Sequence, residues 1–200
     1  MRLRLTRGEG ANYHTRGLEG DQVPGTSPAS IQAGDILAIR GTGFFAQGIL
    51  AATGNTVSHV GMVLAPAPGP LVIEALWRVK TRPLSLSIQD SEKAYILSDL
   101  SLTPSQRETV VLNACRFSAD GYGWWDIGLQ AADAVCHTTF FTGRLSWGLN
   151  SHPICSYLVA EAYVSLGLTF GRKTLQSITP ADIFNFASQH PHLYTVTEIK

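Results

Sequence analysis

Apolar and polar positions alternate along residues 58–64, where Val60, Met62 and Leu64 fall on one face and His59, Gly61 and Val63 on the other. That rhythm predicts a half-buried strand. Shorter apolar runs at 36–40 and 71–75 predict two more, with strand-like pieces at 77–81 and 95–97. The Gly-rich stretch carrying Phe44, Phe45, Ile49 and Leu50 reads as one or two helical turns. After residue 100 the period lengthens. Thr103-Pro104-Ser105-Gln106 is a capping box with proline at the first helical position, and Val110, Val111, Ala114 and Phe117 follow at helical spacing. Cys115 is then ordinary helix content. A second helix is predicted from Trp125 to about Cys136, and a third from about Ile154 to Leu166, started by Pro153 and stopped by Gly167. Thr179-Pro180-Ala181-Asp182 caps a fourth. Strands precede helices, so the expected class is α+β with an antiparallel sheet.

Residues 1–30, rich in Gly, Arg, Thr and Ser, lack apolar periodicity and are expected to be an extended or flexible lead-in. Residues 31–200 are expected to form one domain.

Fifteen basic and fifteen acidic side chains cancel, with a sequence pI near 7.0, which argues against a nucleic-acid or anionic-membrane partner. The basic start, Met1 to Arg7, has no apolar run behind it, so neither a Sec signal peptide nor a transmembrane segment is expected. Three cysteines, an odd number, make no disulfide framework. A cytoplasmic location, or export by a specialised route without a signal peptide, is expected.

The chemistry concentrates in His59 and Cys155. A thiol in the first turn of a helix meets unpaired N–H groups and the positive end of the helix dipole, both of which favour thiolate. An imidazole from a neighbouring strand would complete a nucleophile and general base. The competing reading is an inert core thiol: Cys155 shares the stripe of Leu158, Val159, Ala162, Tyr163 and Leu166, and free cysteine is commonly buried. The link at residues 65–70 makes 57–64 and 71–75 an antiparallel hairpin. Pairing Leu64 near Gly69 sets His59 opposite Glu74, on one face. A two-residue slip keeps them on one face, and a one-residue slip does not. Glu74, the only charge in its run, would orient the imidazole; otherwise it is a solvent-facing residue of a one-sided sheet. His152 and the pair His190 and His192 lack metal-site spacing, so no metal or other cofactor is expected.

Taken together, Gly34-Asp35-Ile36, Ser58-His59-Val60-Gly61-Met62-Val63, Val72-Ile73-Glu74-Ala75, Gly121-Tyr122 with Trp124-Trp125-Asp126, Ile154-Cys155-Ser156 and Ile178-Thr179-Pro180-Ala181-Asp182-Ile183 resemble a family. It is the circularly permuted papain-like cysteine enzymes: the YiiX-like branch of the NlpC-type superfamily, relatives of lecithin:retinol acyltransferase. The resemblance implies a permuted papain-like fold with the histidine strand before the cysteine helix. It implies Cys155 as nucleophile, His59 as base and Glu74 as the orienting residue. Ser58, Tyr122, Trp124, Ser156 and Tyr157, from or beside the same motifs, are candidate substrate-binding residues. Two positions depart from the pattern: Tyr157 stands where an acidic residue is common, and Gly123 separates Tyr122 from the residues that follow.

The activity implied is a thiol hydrolase cleaving an amide through a thioester. A peptidoglycan stem-peptide bond is the leading substrate. The alternatives are a lipid-directed acyltransferase or thioesterase, with residues 140–147 as an apolar wall, and an inactive binding module. An exported effector of this type would be paired with an immunity or inhibitor protein.

Overall fold

The computed structural model describes residues 31–53, 56–66, 69–76, 78–119, 155–172 and 174–200. The expectations for residues 1–30, for the helix from Trp125, for the aromatic stretch 140–147, and for Pro153, Ile154 and His152 lie outside the described residues.

Six strands form one antiparallel sheet: β1 (Ile36–Gly41), β2 (His59–Ala65), β3 (Leu71–Ala75), β4 (Val79–Pro83), β5 (Ser91–Asp99) and β6 (Tyr194–Glu198), in the order β4-β3-β2-β1-β5-β6. Among the described residues the α-helices are α1 (Phe44–Thr53), α2 (Leu84–Ile88), α3 (Pro104–Cys115), α4 (Cys155–Val164) and α5 (Pro180–Gln189). The expected α+β class is what the chain adopts. Both anticipated caps form: Thr103 with Gln106, and Thr179 with Asp182, each hydroxyl accepting the backbone N–H three residues on. Gly167, at φ +77°, follows the turn that ends α4.

Successive side chains along each strand divide between two cores. Ile36, Ala38, Val60, Met62, Ile73 and Leu97 face α3, α4 and α5, meeting Val110, Leu158, Val159, Ala162, Tyr163 and Ile183. Leu37, Ile39, Val63, Val72 and Ile96 face the other way, onto Leu84 and Ile88 of α2 and onto Ile199. The β2 strand is therefore covered on both faces. The half-buried expectation fails because α2 and the end of the chain form a second layer, and neither element carries enough residues to announce itself by period. At roughly 25 cal/mol per Å² of apolar surface removed from water, this second face contributes to the fold as the first does.

Asp35 fixes the head of β1. Its buried carboxylate accepts from Gln32 N–H at 2.8 Å, Ser98 Oγ at 2.9 Å and Arg107 Nη1 at 2.8 Å. The Tyr163 hydroxyl of α4 donates to the Gly34 carbonyl at 2.5 Å. These bonds tie α3 and α4 to the start of the central strand, and so set the height at which α4 opens.

Candidate active site

The β2–β3 ladder sets the site. Its pairs are Ala65 with Leu71, Val63 with Val72 and Met62 with Ile73, with a bulge between Val63 and Ala65. Extending that register puts Glu74 across from Gly61 and leaves His59 diagonal to it rather than opposite. The observed register lies two residues from the expected one, and parity holds: both side chains leave the same face.

Gly61 makes the diagonal approach feasible. A Cβ there would come within 2.9 Å of Val72 Cγ1, 3.0 Å of the Ile73 carbonyl oxygen and 3.1 Å of Glu74 Cβ. Gly61→Ala is expected to destabilise the protein by about 1–3 kcal/mol, the usual range for overpacking, and to weaken the His59–Glu74 contact. Chemical denaturation together with the His59 proton signal reads both effects.

Glu74 is wholly buried, at 0% exposure, and takes three partners. Its Oε2 lies 2.8 Å from His59 Nε2. Its Oε1 accepts from Ser87 Oγ at 2.8 Å and from Arg82 Nε. Burial pushes the carboxyl up, but the hydrogen bond and charge of His59, then Arg82 and Ser87, outweigh it and hold the group down at about 2.

With Nε2 on the carboxylate, Nδ1 is the ring nitrogen left over, and His59 and Cys155 interact through charge and hydrogen bonding that shift both groups. Glu74 sits on the α2 side of the sheet, whereas Cys155 belongs to the core under α3 and α4. His59 interacts with both. Burial alone would strip the proton from His59. The negative charge and hydrogen bond of Cys155, then those of Glu74, reverse this and raise the imidazole well above its ordinary range. Burial likewise pushes the Cys155 thiol up, but the charge and hydrogen bond of His59 and the N–H groups of Val60 and Ser156 bring it below its ordinary value. The arrangement favours a thiolate–imidazolium pair. Cys155 is 7% exposed and the His59 side chain 17%.

The other candidates divide. Ser156 is buried, and its hydroxyl donates to the Ile178 carbonyl at 2.5 Å, anchoring the mouth of α4. Its chemical part is the backbone N–H directed at the sulfur. The Ser58 hydroxyl accepts from Gly41 N–H at 3.0 Å, holding the end of β1 against the start of β2. Two residues along a helix are about 200° apart, so Tyr157 leaves α4 on the side away from Cys155. It meets Phe117 edge-on at 6.1 Å, and its hydroxyl interacts with Glu161. Tyr122 and Trp124 lie outside the described residues. His190 bonds the Phe186 carbonyl at 2.7 Å and stacks on the Phe186 ring. Among the described residues no group of three His, Cys, Asp or Glu could hold a metal ion, and no helix is long and apolar enough to cross a membrane.

Arg82 and Ser87 are what sequence reasoning missed. The signal was available: continuing the hairpin into β4 pairs Glu74 with Lys80 and sets Arg82, across from Val72, on its diagonal. Ser87 on α2 gave no comparable sign.

No family model matches the chain, and no curated protein matches it in sequence. Solved structures do. The metalloprotein YiiX from Escherichia coli O157:H7 is similar with a TM-score of 0.61 at 20% identity, over 83% of this chain and 96% of that one. At that identity the likeness is one of fold.

Proposed function

We propose that this protein is a thiol hydrolase that cleaves an amide bond through a thioester on Cys155, with His59 as acid and base and Glu74 as its orienting residue. One observation carries the reading: an imidazole whose Nε2 meets a buried carboxylate at 2.8 Å interacts with a thiol at the mouth of a helix, each favouring the other's charged form. The order of these parts, histidine strand before cysteine helix, is that of a permuted papain-like enzyme.

In the proposed cycle the Cys155 thiolate attacks the amide carbonyl carbon, and the carbonyl electron pair moves to oxygen. Backbone N–H groups at the start of α4 hold that oxyanion. Imidazolium at His59 gives its proton to the departing amine as the C–N bond breaks, leaving an acyl thioester and neutral His59. His59 then takes a proton from water, the hydroxide displaces sulfur, and the acid leaves with Cys155 again a thiolate beside imidazolium. A peptidoglycan stem-peptide bond is the substrate proposed, by the motif resemblance.

Iodoacetamide labelling with peptide mapping tests the chemistry. Cys155 is expected to react near neutral pH at least about tenfold faster than an ordinary thiol, and His59→Ala is expected to remove that advantage, since the thiol keeps its burial but loses the charge that lowers it. Slow labelling in both proteins would leave an inactive binding module of this fold. Mass spectrometry of products from purified peptidoglycan and from phospholipid vesicles then assigns the substrate. Release of stem-peptide fragments supports the proposal, and release or transfer of fatty acyl groups replaces it with lipid chemistry.

A further inference from the structure

Once His59 has given its proton to the leaving amine, the buried Glu74 carboxylate faces a neutral ring. A carboxylate without a countercharge at 0% exposure is strongly disfavoured. The fold supplies a second cation on the opposite oxygen. Arg82 reaches Oε1 with Nε, while Ser87 Oγ donates to the same oxygen at 2.8 Å and leaves Oε2 to His59. Lys80, the residue directly across β4 from Glu74, is exposed. We propose that Arg82 and Ser87 are positioning residues: they clamp Oε1, keeping Glu74 ionised and Oε2 aimed at His59 through the half of the cycle in which the imidazole is neutral. The proposal rests on the thiol-hydrolase reading of the site.

In the resting pair the charges alternate: Arg82 positive, Glu74 negative, His59 positive, Cys155 negative. Arg82 lies two strands from β2, bonds the carboxylate with Nε, and keeps 32% of its side chain in water. Ser87 arrives from α2, on the face away from the helix that carries the nucleophile. Their hydrogen bonds are to the carboxylate, and it is beside Glu74 that they bear on the ring and the thiol. Removing a positive charge makes every neighbouring group hold its proton more tightly, so loss of Arg82 raises the pH at which the thiol ionises and makes His59 a more reluctant acid.

Arg82→Gln, Arg82→Lys and Ser87→Ala, made in the full chain, test this with three readings: the pH profile of Cys155 labelling, the NMR titration of the His59 ring, and thermal melting. Arg82→Gln is expected to move the acid limb of labelling and the His59 midpoint upward by about one pH unit, which slows labelling about tenfold on the acid side. Arg82→Lys restores most of the shift, and Ser87→Ala moves the limb the same way by less. A lower melting temperature with both titrations unmoved would make the pair purely structural and overturn the proposal. So would Arg82→Lys behaving like Arg82→Gln. Should Arg82→Gln fail to fold, Arg82→Lys and Ser87→Ala are still expected to show a partial upward shift, and unmoved titrations in both decide against the clamp. Wild-type labelling that His59→Ala does not alter instead removes the hydrolase reading, and the His59 titration then judges the clamp by itself.

Discussion

Cys155→Ala is expected to abolish turnover, by about 10⁴-fold or more, while leaving the protein folded. The two halves of that expectation have separate causes. The sulfur is the proposed bond-forming atom, and no neighbouring oxygen stands in its place: the Ser156 hydroxyl is turned to Ile178 and the Ser58 hydroxyl to Gly41. The fold loses little, because alanine keeps the helix and removes one atom. Nor does the change strand a charge, since His59 retains its 2.8 Å contact to Glu74. A melting change of no more than a few degrees is therefore expected beside the loss of activity. Cys155→Ser should be equally inactive, since a hydroxyl in the same place ionises far less readily than a thiol. Turnover surviving in either variant would move the nucleophile elsewhere. Cys115, a half-buried residue of α3, would be the first thiol to examine.

The parts of this site that could be read from sequence are those with a period or a cap. Apolar alternation located β2, short apolar runs located β1 and β3, and the two capping boxes located α3 and α5, because each feature lies within a few neighbouring residues. Parity was legible too: His59 and Glu74 share a face whatever even slip the hairpin takes. The actual register was not, because it depends on a bulge between Val63 and Ala65 that no residue type there demands. The short elements escaped for a related reason. Five residues of α2 and five of β6 are too few to show a period, yet α2 supplies Ser87 and closes the second face of the sheet. The sequence therefore left Glu74 open between an orienting carboxylate and a water-facing residue of a one-sided sheet; in the fold it is buried with three partners. Tyr157 shows that neighbours in a motif need not share a side of a helix. Adjacency in a motif drew it toward the nucleophile, and helical geometry sends it to the other side of α4.

Glu74→Ala is expected to cost the fold about 3 kcal/mol as well as activity, the lower end of the range for breaking a buried ion pair. The lower end applies because neither cation left behind is trapped. Arg82, 32% exposed, can turn into water, and His59 can release its proton. What cannot relax is the space vacated beneath Gly61 and the Ser87 hydroxyl deprived of its acceptor. The pH dependence separates this account from a simple packing loss. The folded carboxyl titrates at about 2 against an ordinary value of 4.5. A depressed acid stabilises the fold fully above its unfolded value, and that contribution is lost as pH falls toward the folded one. Wild-type stability should therefore decline between about pH 4.5 and pH 2 through this group, and Glu74→Ala should lack that part of the decline, so that the two unfolding curves converge in acid. His59 acts with opposite sign: raised in the fold, it contributes below its unfolded value and loses that contribution as pH climbs toward the folded one. The Glu74→Ala penalty should thus be largest near pH 5 to 6, where both groups carry their charges. A penalty that is the same at pH 2.5 and pH 6 in urea unfolding would mean that Glu74 fills space and holds no charge against His59, and the carboxylate would lose its place in the proposed mechanism.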